Sequence, residues 1–320
     1  MPGPRTVAVA GAGSIGVAFA VLFARAGFDV RVWDPVPGAA ARATVELIDR
    51  LALLDENELL AEAPDTVRAR VTFHEILLDA LAGAELAQEC VPERLDLKRE
   101  VFQQLGAYSE AGCVLASSSS AIVASEFATA TPARDRVLIA HPGNPPYLIP
   151  VIELVPSPLT SAETVDRARE IYTAAGLRPV LVHAEIEGFV FNRLQGALLR
   201  EAYCLVRDGV ATVDDIDEVV RSGLGRRWTF MGPFETADLN TRGGIASHAE
   251  KMGPAYARMG ASRGQDDPWT PDLVADVTAQ RRAVLPLEAW EERVRWRDQE
   301  LMRRLEKAVS PAPADDAGTR

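Results

Sequence analysis

Through the first 184 residues, short apolar runs alternate with longer segments whose apolar positions recur every three or four residues. Continuous apolar runs of about five residues are typical of strands buried on both faces of a parallel sheet, and the longer segments have the period of helices. The predicted strands are 6–10, 29–33, 70–73, 85–90, 113–116, 136–140, 151–155 and 178–182, and the predicted helices include 17–26, 39–60, 94–108 and 162–175. This alternation predicts an α/β fold with a doubly wound, mostly parallel sheet.

After residue 184 the strand-like runs stop and the pattern becomes helical. A helix that starts near Gly188 has one apolar face, which consists of Phe191, Leu194, Leu198, Ala202 and Leu205. Thr212 is the predicted N-cap of the next helix, and 293–305 is the predicted last one. The predicted organisation is therefore an α/β domain over residues 1–184, an all-α domain over 185–309, and a flexible tail over 310–320 that is rich in Pro, Ala and Asp.

Composition and charge narrow the class of protein. The chain has 320 residues, 48% of them hydrophobic and 25% charged, which is enough for two globular domains. A net charge of -12, without a basic run, argues against nucleic acid as a partner. The three cysteines stand singly, so we expect no metal site and no disulfide framework. With no apolar signal core or membrane-length segment in the sequence, the cytoplasm is the expected location and no membrane partner is expected.

A glycine-rich turn joins the first predicted strand to the first predicted helix. In the run from Gly11 to Gly16, Gly11 permits a tight turn, Gly13 permits close approach of a pyrophosphate, and Gly16 permits close packing of helix on strand. The amides at the helix start, near Ser14 and Ile15, are then free to bind phosphate oxygens. A turn of this kind between a strand and a helix predicts a Rossmann-type dinucleotide-binding unit.

Asp34 completes this unit at the end of the second predicted strand, about 20 residues after the turn. A carboxylate there can accept hydrogen bonds from both hydroxyls of the adenosine ribose, and it would repel a 2′-phosphate. Pro35 follows it, where an arginine would favour NADP. The predicted cofactor is therefore NAD.

His141 and Glu153 stand on either side of a Pro-rich turn. A histidine titrates near neutral pH, and a carboxylate bonded to one ring nitrogen fixes the tautomer and stabilises the protonated ring. Because ligands of doubly wound sheets bind beyond the carboxyl ends of the strands, His141 and the serine run that ends at Ser120 are expected in one crevice. Glu93 follows a third strand, where it could contact the nicotinamide side of the cofactor or be a first-turn helix carboxylate stabilised by the dipole.

These motifs together resemble the 3-hydroxyacyl-CoA dehydrogenase superfamily over almost the whole chain. The family pattern of a serine after a strand, a histidine, a glutamate twelve residues later and an asparagine in a Gly-Phe-x-x-Asn-Arg-Leu helix start matches this sequence at Ser120, His141, Glu153 and Asn192. The resemblance implies that His141 is the general base in hydride transfer, that Glu153 orients it, and that Ser120 and Asn192 bind the reacting oxygen. It also implies that the helical domain mediates a homodimer.

Within the superfamily, the sequence around Asn144 (His-Pro-Gly-Asn-Pro-Pro-Tyr-Leu-Ile-Pro) and the stretch with Arg226 and Arg227 resemble the lambda-crystallin, or L-gulonate 3-dehydrogenase, branch. The resemblance implies oxidation of the 3-hydroxyl of an L-3-hydroxy acid by NAD. We expect Asn144 to contact the substrate, and either arginine could bind a substrate carboxylate. The alternatives are a 3-hydroxyacyl-CoA or carnitine as substrate, and a non-catalytic, NAD-binding structural protein.

Overall fold

A computed structural model describes residues 5–264, 270–293 and 296 of the chain. The chain divides into two compact units, residues 1–200 and residues 201–320. The boundary predicted after residue 184 stays a prediction, as does the tail over 310–320, which lies outside the described residues. Of the last predicted helix, over 293–305, only residues 293 and 296 are described.

The first unit is built on one eight-stranded sheet. Its strands are β1 (Thr6–Ala10), β2 (Asp29–Trp33), β3 (Val71–His74), β4 (Leu86–Glu89), β5 (Val114–Ser117), β6 (Val137–Pro142), β7 (Val151–Pro156) and β8 (Arg178–Leu181). Their order across the sheet is β3-β2-β1-β4-β5-β6-β7-β8, and every neighbouring pair is parallel except β6 and β7. The predicted doubly wound, mostly parallel sheet is confirmed.

The central strands are mostly buried on both faces because helices cover both faces of the sheet. In β1, Val7 and Val9 join one buried cluster, and the alternate residues Ala8 and Ala10 join the other. This is the alternation of side chains that a strand imposes. Burial on both sides explains why the strands read as unbroken apolar runs and could be located from the sequence.

The helices of this region are α1 (Ser14–Arg25), α2 (Ala39–Glu56), α3 (Pro64–Arg68), α4 (Leu77–Leu81), α5 (Leu95–Tyr108), α6 (Ser125–Ala128), α7 (Ala162–Ala174) and α8 (Phe191–Arg207), with a 3-10 turn at Arg134–Arg136. α2 ends at Glu56, before the predicted end at residue 60, and Glu58 has a positive φ of 56° that a helix cannot continue through. Ser161 caps α7 by accepting a hydrogen bond from the Thr164 amide at 3.2 Å.

The second unit is helical over its described residues, which confirms the predicted all-α region. Its elements after α8 are α9 (Val213–Glu218), a π-helical turn (Val219–Leu224), α10 (Gly225–Trp228), α11 (Pro233–Asn240), α12 (Gly244–Ala261), α13 (Pro271–Val284) and a 3-10 turn (Leu287–Ala289). Thr212 and Asp215 form a reciprocal capping box at the start of α9, as the sequence predicts. Across the part of the chain that the structure describes, we find no helix with the length and apolar character needed to span a membrane.

Candidate active site

The predicted site residues other than Arg226 and Arg227 lie in the first unit, around the carboxyl edge of the sheet. β1, β4, β5 and β6 are adjacent and parallel, so their carboxyl ends meet along one edge. The glycine-rich turn follows β1, the serine run follows β5, and His141 lies near the end of β6. The order of strands changes direction between β1 and β4, which is where ligands of doubly wound sheets bind.

The antiparallel pairing of β6 with β7 sets His141 directly opposite Glu153. His141 Nδ1 lies 2.8 Å from Glu153 Oε2, and the two residues are 5% and 3% exposed. An ionised carboxylate can only accept, so Nδ1 donates this hydrogen bond and the neutral ring keeps an unprotonated Nε2. The pair therefore has the geometry of a general base and its orienting carboxylate.

The second oxygen of Glu153 is also fixed. Oε1 accepts hydrogen bonds from the backbone amides of Val190 at 2.8 Å and Phe191 at 2.9 Å, where α8 begins. Burial alone would raise the pKa of Glu153, but the bond from His141 and these two amides outweigh it and hold the pKa below its usual value. Glu153 thus stays ionised and keeps the His141 tautomer that leaves Nε2 free to accept a proton.

A cavity of about 360 Å³ lies in front of His141. Its lining residues are Ile15, Ser118, Ser120, His141, Pro142, Asn144, Ile149, Phe191, Asn192 and Gln195. The structure therefore brings together the predicted site residues Ile15, Ser120, His141, Asn144 and Asn192. Glu153 lies behind His141, bonded to its far ring nitrogen.

Five lining residues were not chosen as site residues from the sequence: Ser118, Pro142, Ile149, Phe191 and Gln195. Gln195 lies one helical turn after Asn192 on α8, so the i, i+3 spacing would have indicated that they share a face. Ser118 and Ser120 line the cavity, whereas the hydroxyls of Ser117 and Ser119 bond the carboxylates of Glu89 and Glu93. The structure thus divides the serine run into two residues that line the cavity and two that anchor it.

The glycine-rich turn has the shape that a bound pyrophosphate requires. A Cβ added to Gly11, which has a φ of +113°, would lie 2.7 Å from the Cys90 carbonyl oxygen, and one added to Gly16 would lie 1.9 Å from the Gly11 oxygen. A Cβ at Gly13 would meet no described heavy atom within 4 Å, so the backbone there is open to a ligand. α1 begins at Ser14 without a side-chain cap, which leaves its first amides for phosphate oxygens.

Asp34 follows β2 and supports this turn. Its Oδ2 accepts from the Ala12 amide at 2.8 Å, and its Oδ1 accepts from the Val36 amide at 2.9 Å. These bonds fix the carboxylate beside the turn. A carboxylate oxygen accepts more than one hydrogen bond, so these amides leave capacity for ribose hydroxyls. Its predicted contact with the ribose stays a prediction.

Glu93 lies two residues before α5, which begins at Leu95, so the interpretation as a first-turn helix carboxylate is wrong. Its Oε1 accepts from the Ser119 hydroxyl at 2.5 Å and from the amides of Ser120, Ala121 and Ile122 at 3.2, 3.1 and 3.2 Å. Glu93 thus anchors the loop that carries Ser120. Its contact with the nicotinamide stays a prediction.

Comparison with known families assigns this arrangement. Residues 6–186 match the family described as 3-hydroxyacyl-CoA dehydrogenase, NAD binding domain, and residues 188–284 match 3-hydroxyacyl-CoA dehydrogenase, C-terminal domain. The chain belongs to the 3-hydroxyacyl-CoA dehydrogenase family. Members are NAD-dependent oxidoreductases that act on CH–OH groups, and the sequence-based predictions of family, enzyme class and NAD as cofactor are confirmed.

Relatives within the 3-hydroxyacyl-CoA dehydrogenase family carry different names. The chain is 40% identical to a lambda-crystallin homolog of Bos taurus, over 80% of each chain. It is 35% identical to an L-carnitine dehydrogenase of Pseudomonas putida, over 96% of this chain and 94% of the relative. A solved 5-formyl-3-hydroxy-2-methylpyridine 4-carboxylic acid 5-dehydrogenase, an NAD+-dependent dismutase, matches with a TM-score of 0.71 and 28% identity over 92% of this chain and 99% of that one.

Arg226 and Arg227 lie on α10 in the second unit of this 3-hydroxyacyl-CoA dehydrogenase family member. Arg227 donates a hydrogen bond from Nη1 to Oδ1 of Asn240 at 3.2 Å. It also lines an apolar cavity of about 480 Å³ among α10, α11, α12 and α13. The role of either arginine as a receptor for a substrate carboxylate stays a prediction.

Proposed function

We propose that this protein oxidises the 3-hydroxyl of an L-3-hydroxy acid with NAD, and that the substrate is a sugar acid of the L-gulonate type, giving 3-dehydro-L-gulonate. The observation that carries the proposal is the buried His141–Glu153 pair on the wall of a cavity in which five of the ten lining residues have uncharged polar side chains. The activity class follows from the pair and the cofactor. The lining supports the proposed substrate class.

The chemistry assigns one task to each residue. Bound NAD supplies the hydride acceptor for the carbinol hydrogen. His141 takes the hydroxyl proton on Nε2, and Glu153 stabilises the imidazolium that forms. Ser120 and Asn192 line the same cavity and hydrogen-bond the reacting oxygen, which holds the carbinol carbon in place. With NAD bound, the substrate would give its hydroxyl proton to His141 and its carbinol hydride to the cofactor, which would leave a ketone.

The cavity lining favours a polyhydroxylated substrate. Five uncharged polar side chains line it: Ser118, Ser120, Asn144, Asn192 and Gln195. Their hydroxyl and amide groups match the donors and acceptors of a sugar acid, and an acyl chain would leave them without partners. Among the described lining residues none carries a carboxylate, and Phe191 is the one lining ring besides His141, so the wall offers little to a quaternary ammonium such as that of carnitine.

The names of the relatives support two other substrates. The Pseudomonas putida relative supports carnitine, and the family name supports a 3-hydroxyacyl-CoA. Four acidic residues at and beyond the end of α2 argue against CoA, because CoA phosphates require cations. These residues are Asp55, Glu56, Glu58 and Glu62. A non-catalytic structural protein is the remaining alternative, and the intact His141–Glu153 geometry argues against it.

The deciding experiment measures NADH formation by the purified protein with L-gulonate, L-carnitine, L-3-hydroxybutyrate and L-3-hydroxybutyryl-CoA side by side. We expect the highest kcat/KM with L-gulonate and NAD. A higher value for carnitine or the CoA ester would replace the substrate and keep the mechanism. NAD binding without turnover of any of the four would support the structural-protein alternative.

The cofactor preference is tested at Asp34. We expect Asp34→Asn to raise the Kd for NADH by about 10- to 100-fold, because a charged hydrogen bond to the ribose contributes about 1.5–3 kcal/mol. Affinity for NADPH should change little or improve, since the repulsion of the 2′-phosphate is removed. Fluorescence titration with both cofactors measures the ratio, and Asp29→Asn at the other end of β2 is the matched control. An unchanged NADH to NADPH preference would contradict the assignment.

We also propose that two copies pair through the helical domain. Large apolar side chains that share one face of α8 are exposed within a single chain: Leu199 at 46%, Tyr203 at 75% and Val206 at 39%, at i, i+4 and i+7 spacing. Monomeric proteins rarely leave so much contiguous apolar surface in water. Light scattering after gel filtration should give the mass of a dimer, and Tyr203→Glu should shift it towards the monomer. A monomeric mass for the wild type at micromolar concentration would refute the pairing.

A further inference from the structure

Lys98 is a fully buried lysine behind the serine loop. It lies on α5, and its side chain is 0% exposed. Its ammonium nitrogen lies 3.1 and 3.0 Å from the two carboxylate oxygens of Glu89 and 3.2 Å from Oε2 of Glu93. Its sequence position gave no sign of this role. The chain has 34 Lys and Arg residues, and three of them are lysines, so a compact ammonium lies here in a chain whose basic residues are mostly arginine.

Each of the two carboxylates that Lys98 binds holds part of the serine loop. Glu89, at the end of β4, accepts the Ser117 hydroxyl at 2.5 Å and the Val91 amide at 2.7 Å. The other, Glu93, accepts the Ser119 hydroxyl and three consecutive amides, including that of Ser120. The ammonium is thus connected to the backbone of Ser120 through a single intervening carboxylate.

The charges explain why this arrangement depends on a cation. Burial already raises the pKa of Glu89, so without the ammonium Glu89 and Glu93 would repel each other and Glu89 would take up a proton. Burial is the largest influence on the Glu93 pKa and would raise it, but the Ser119 hydroxyl, the Lys98 charge and the loop amides outweigh it and lower the pKa. An ionised Glu93 is the stronger acceptor for the loop amides.

We propose that Lys98 is a positioning residue for the dehydrogenase reaction: its ammonium holds Glu93 against the loop amides and so fixes Ser118 and Ser120 at the cavity wall. The inference rests on the proposed function for its catalytic consequence. Its structural part, the hold on the loop, can be measured without any turnover.

The test compares Lys98→Met/Glu89→Gln with Glu89→Gln alone. In Glu89→Gln, the Lys98 ammonium faces the Glu93 carboxylate alone. The double variant also removes the ammonium, and it leaves no unpaired charge buried at residue 89. In the double variant we expect amide hydrogen exchange over residues 120–122 to be about tenfold faster than in Glu89→Gln, with β5 still protected. With the substrate that the wild type oxidises, kcat should fall by about tenfold while the KM for NAD changes by less than about threefold.

Equal exchange over residues 120–122 in the two variants would overturn the proposal, as would faster exchange with unchanged kcat. If the double variant does not fold, Glu93→Gln serves instead. This change keeps the Oε1 acceptor and removes the charge that Lys98 binds. It acts at a side chain that is 39% exposed. If exchange over residues 120–122 in that folded variant were as slow as in the wild type, the role of the ion pair would equally be refuted. A wild type that oxidises none of the substrates would refute the proposed function, and the exchange comparison would still decide whether Lys98 holds the loop.

Discussion

Replacing His141 by alanine is expected to lower kcat by about 10³-fold while the Kd for NADH stays within about threefold of the wild-type value. Among the described groups on the cavity wall, the His141 imidazole alone has Nδ1 bonded to a carboxylate and Nε2 free. Its loss therefore removes the acceptor for the hydroxyl proton. The dinucleotide turn lies on other elements and should remain intact. Steady-state kinetics and a fluorescence titration with NADH measure the two quantities separately.

The matched control is His183→Ala. His183 is an exposed histidine after β8, so its removal changes the same chemical group away from the cavity. Its kcat should remain near that of the wild type. If His141→Ala kept more than about one tenth of the wild-type kcat, His141 would not be the base.

The second large effect is expected for Glu153→Gln, with kcat lowered by about 10²-fold or more. A glutamine amide either donates to Nδ1, which places the ring proton on Nε2, or accepts from Nδ1 and turns its NH2 group towards the Val190 and Phe191 amides. The first orientation removes the free Nε2 and so lowers activity. The second leaves the buried amides of Val190 and Phe191 without an acceptor. We also expect the free energy of unfolding at about pH 7 to fall by about 1–3 kcal/mol, measured by urea denaturation.

The pH dependence of this stability difference has a fixed sign. The pKa of Glu153 is lower in the folded protein, so its stabilising contribution is complete above the unfolded value of about 4.3 and is lost as the pH falls through the folded value. The wild type and Glu153→Gln should therefore converge in stability in acid. Glu170→Gln, at a side chain 75% exposed on α7, is the control. A difference that grew below about pH 4 would contradict the lowered pKa.

Local sequence patterns predicted the elements well where burial is two-sided. β1 and β2 have the predicted bounds. β1 is an almost unbroken apolar run because it is covered on both faces, whereas β2 alternates apolar residues with Asp29 and Arg31. The dinucleotide turn was equally visible, since its geometry demands glycines at fixed positions. The sequence did not predict the early end of α2, because a glutamate side chain does not indicate the left-handed conformation that Glu58 adopts.

The parts of the site that depend on long-range packing were not predictable in the same way. The sequence places His141 and Glu153 on either side of a Pro-rich turn, but no pattern in it shows that they lie directly opposite each other on β6 and β7, so their contact was expected mainly from family resemblance. The bonds among Glu89, Lys98 and Ser117 join two strands and a helix, and no spacing rule relates them. Such contacts arise only when the sheet order is known.

The His141–Glu153 pair is aligned by the backbone ladder between β6 and β7, and the turn that joins these strands contributes Asn144 and Ile149 to the cavity wall. In the proposed mechanism, proton transfer and substrate selection therefore belong to separate pieces of one hairpin. We expect that exchanging residues 143–150 would change the accepted hydroxy acid, while main-chain hydrogen bonds between β6 and β7 would keep the acid–base pair in register.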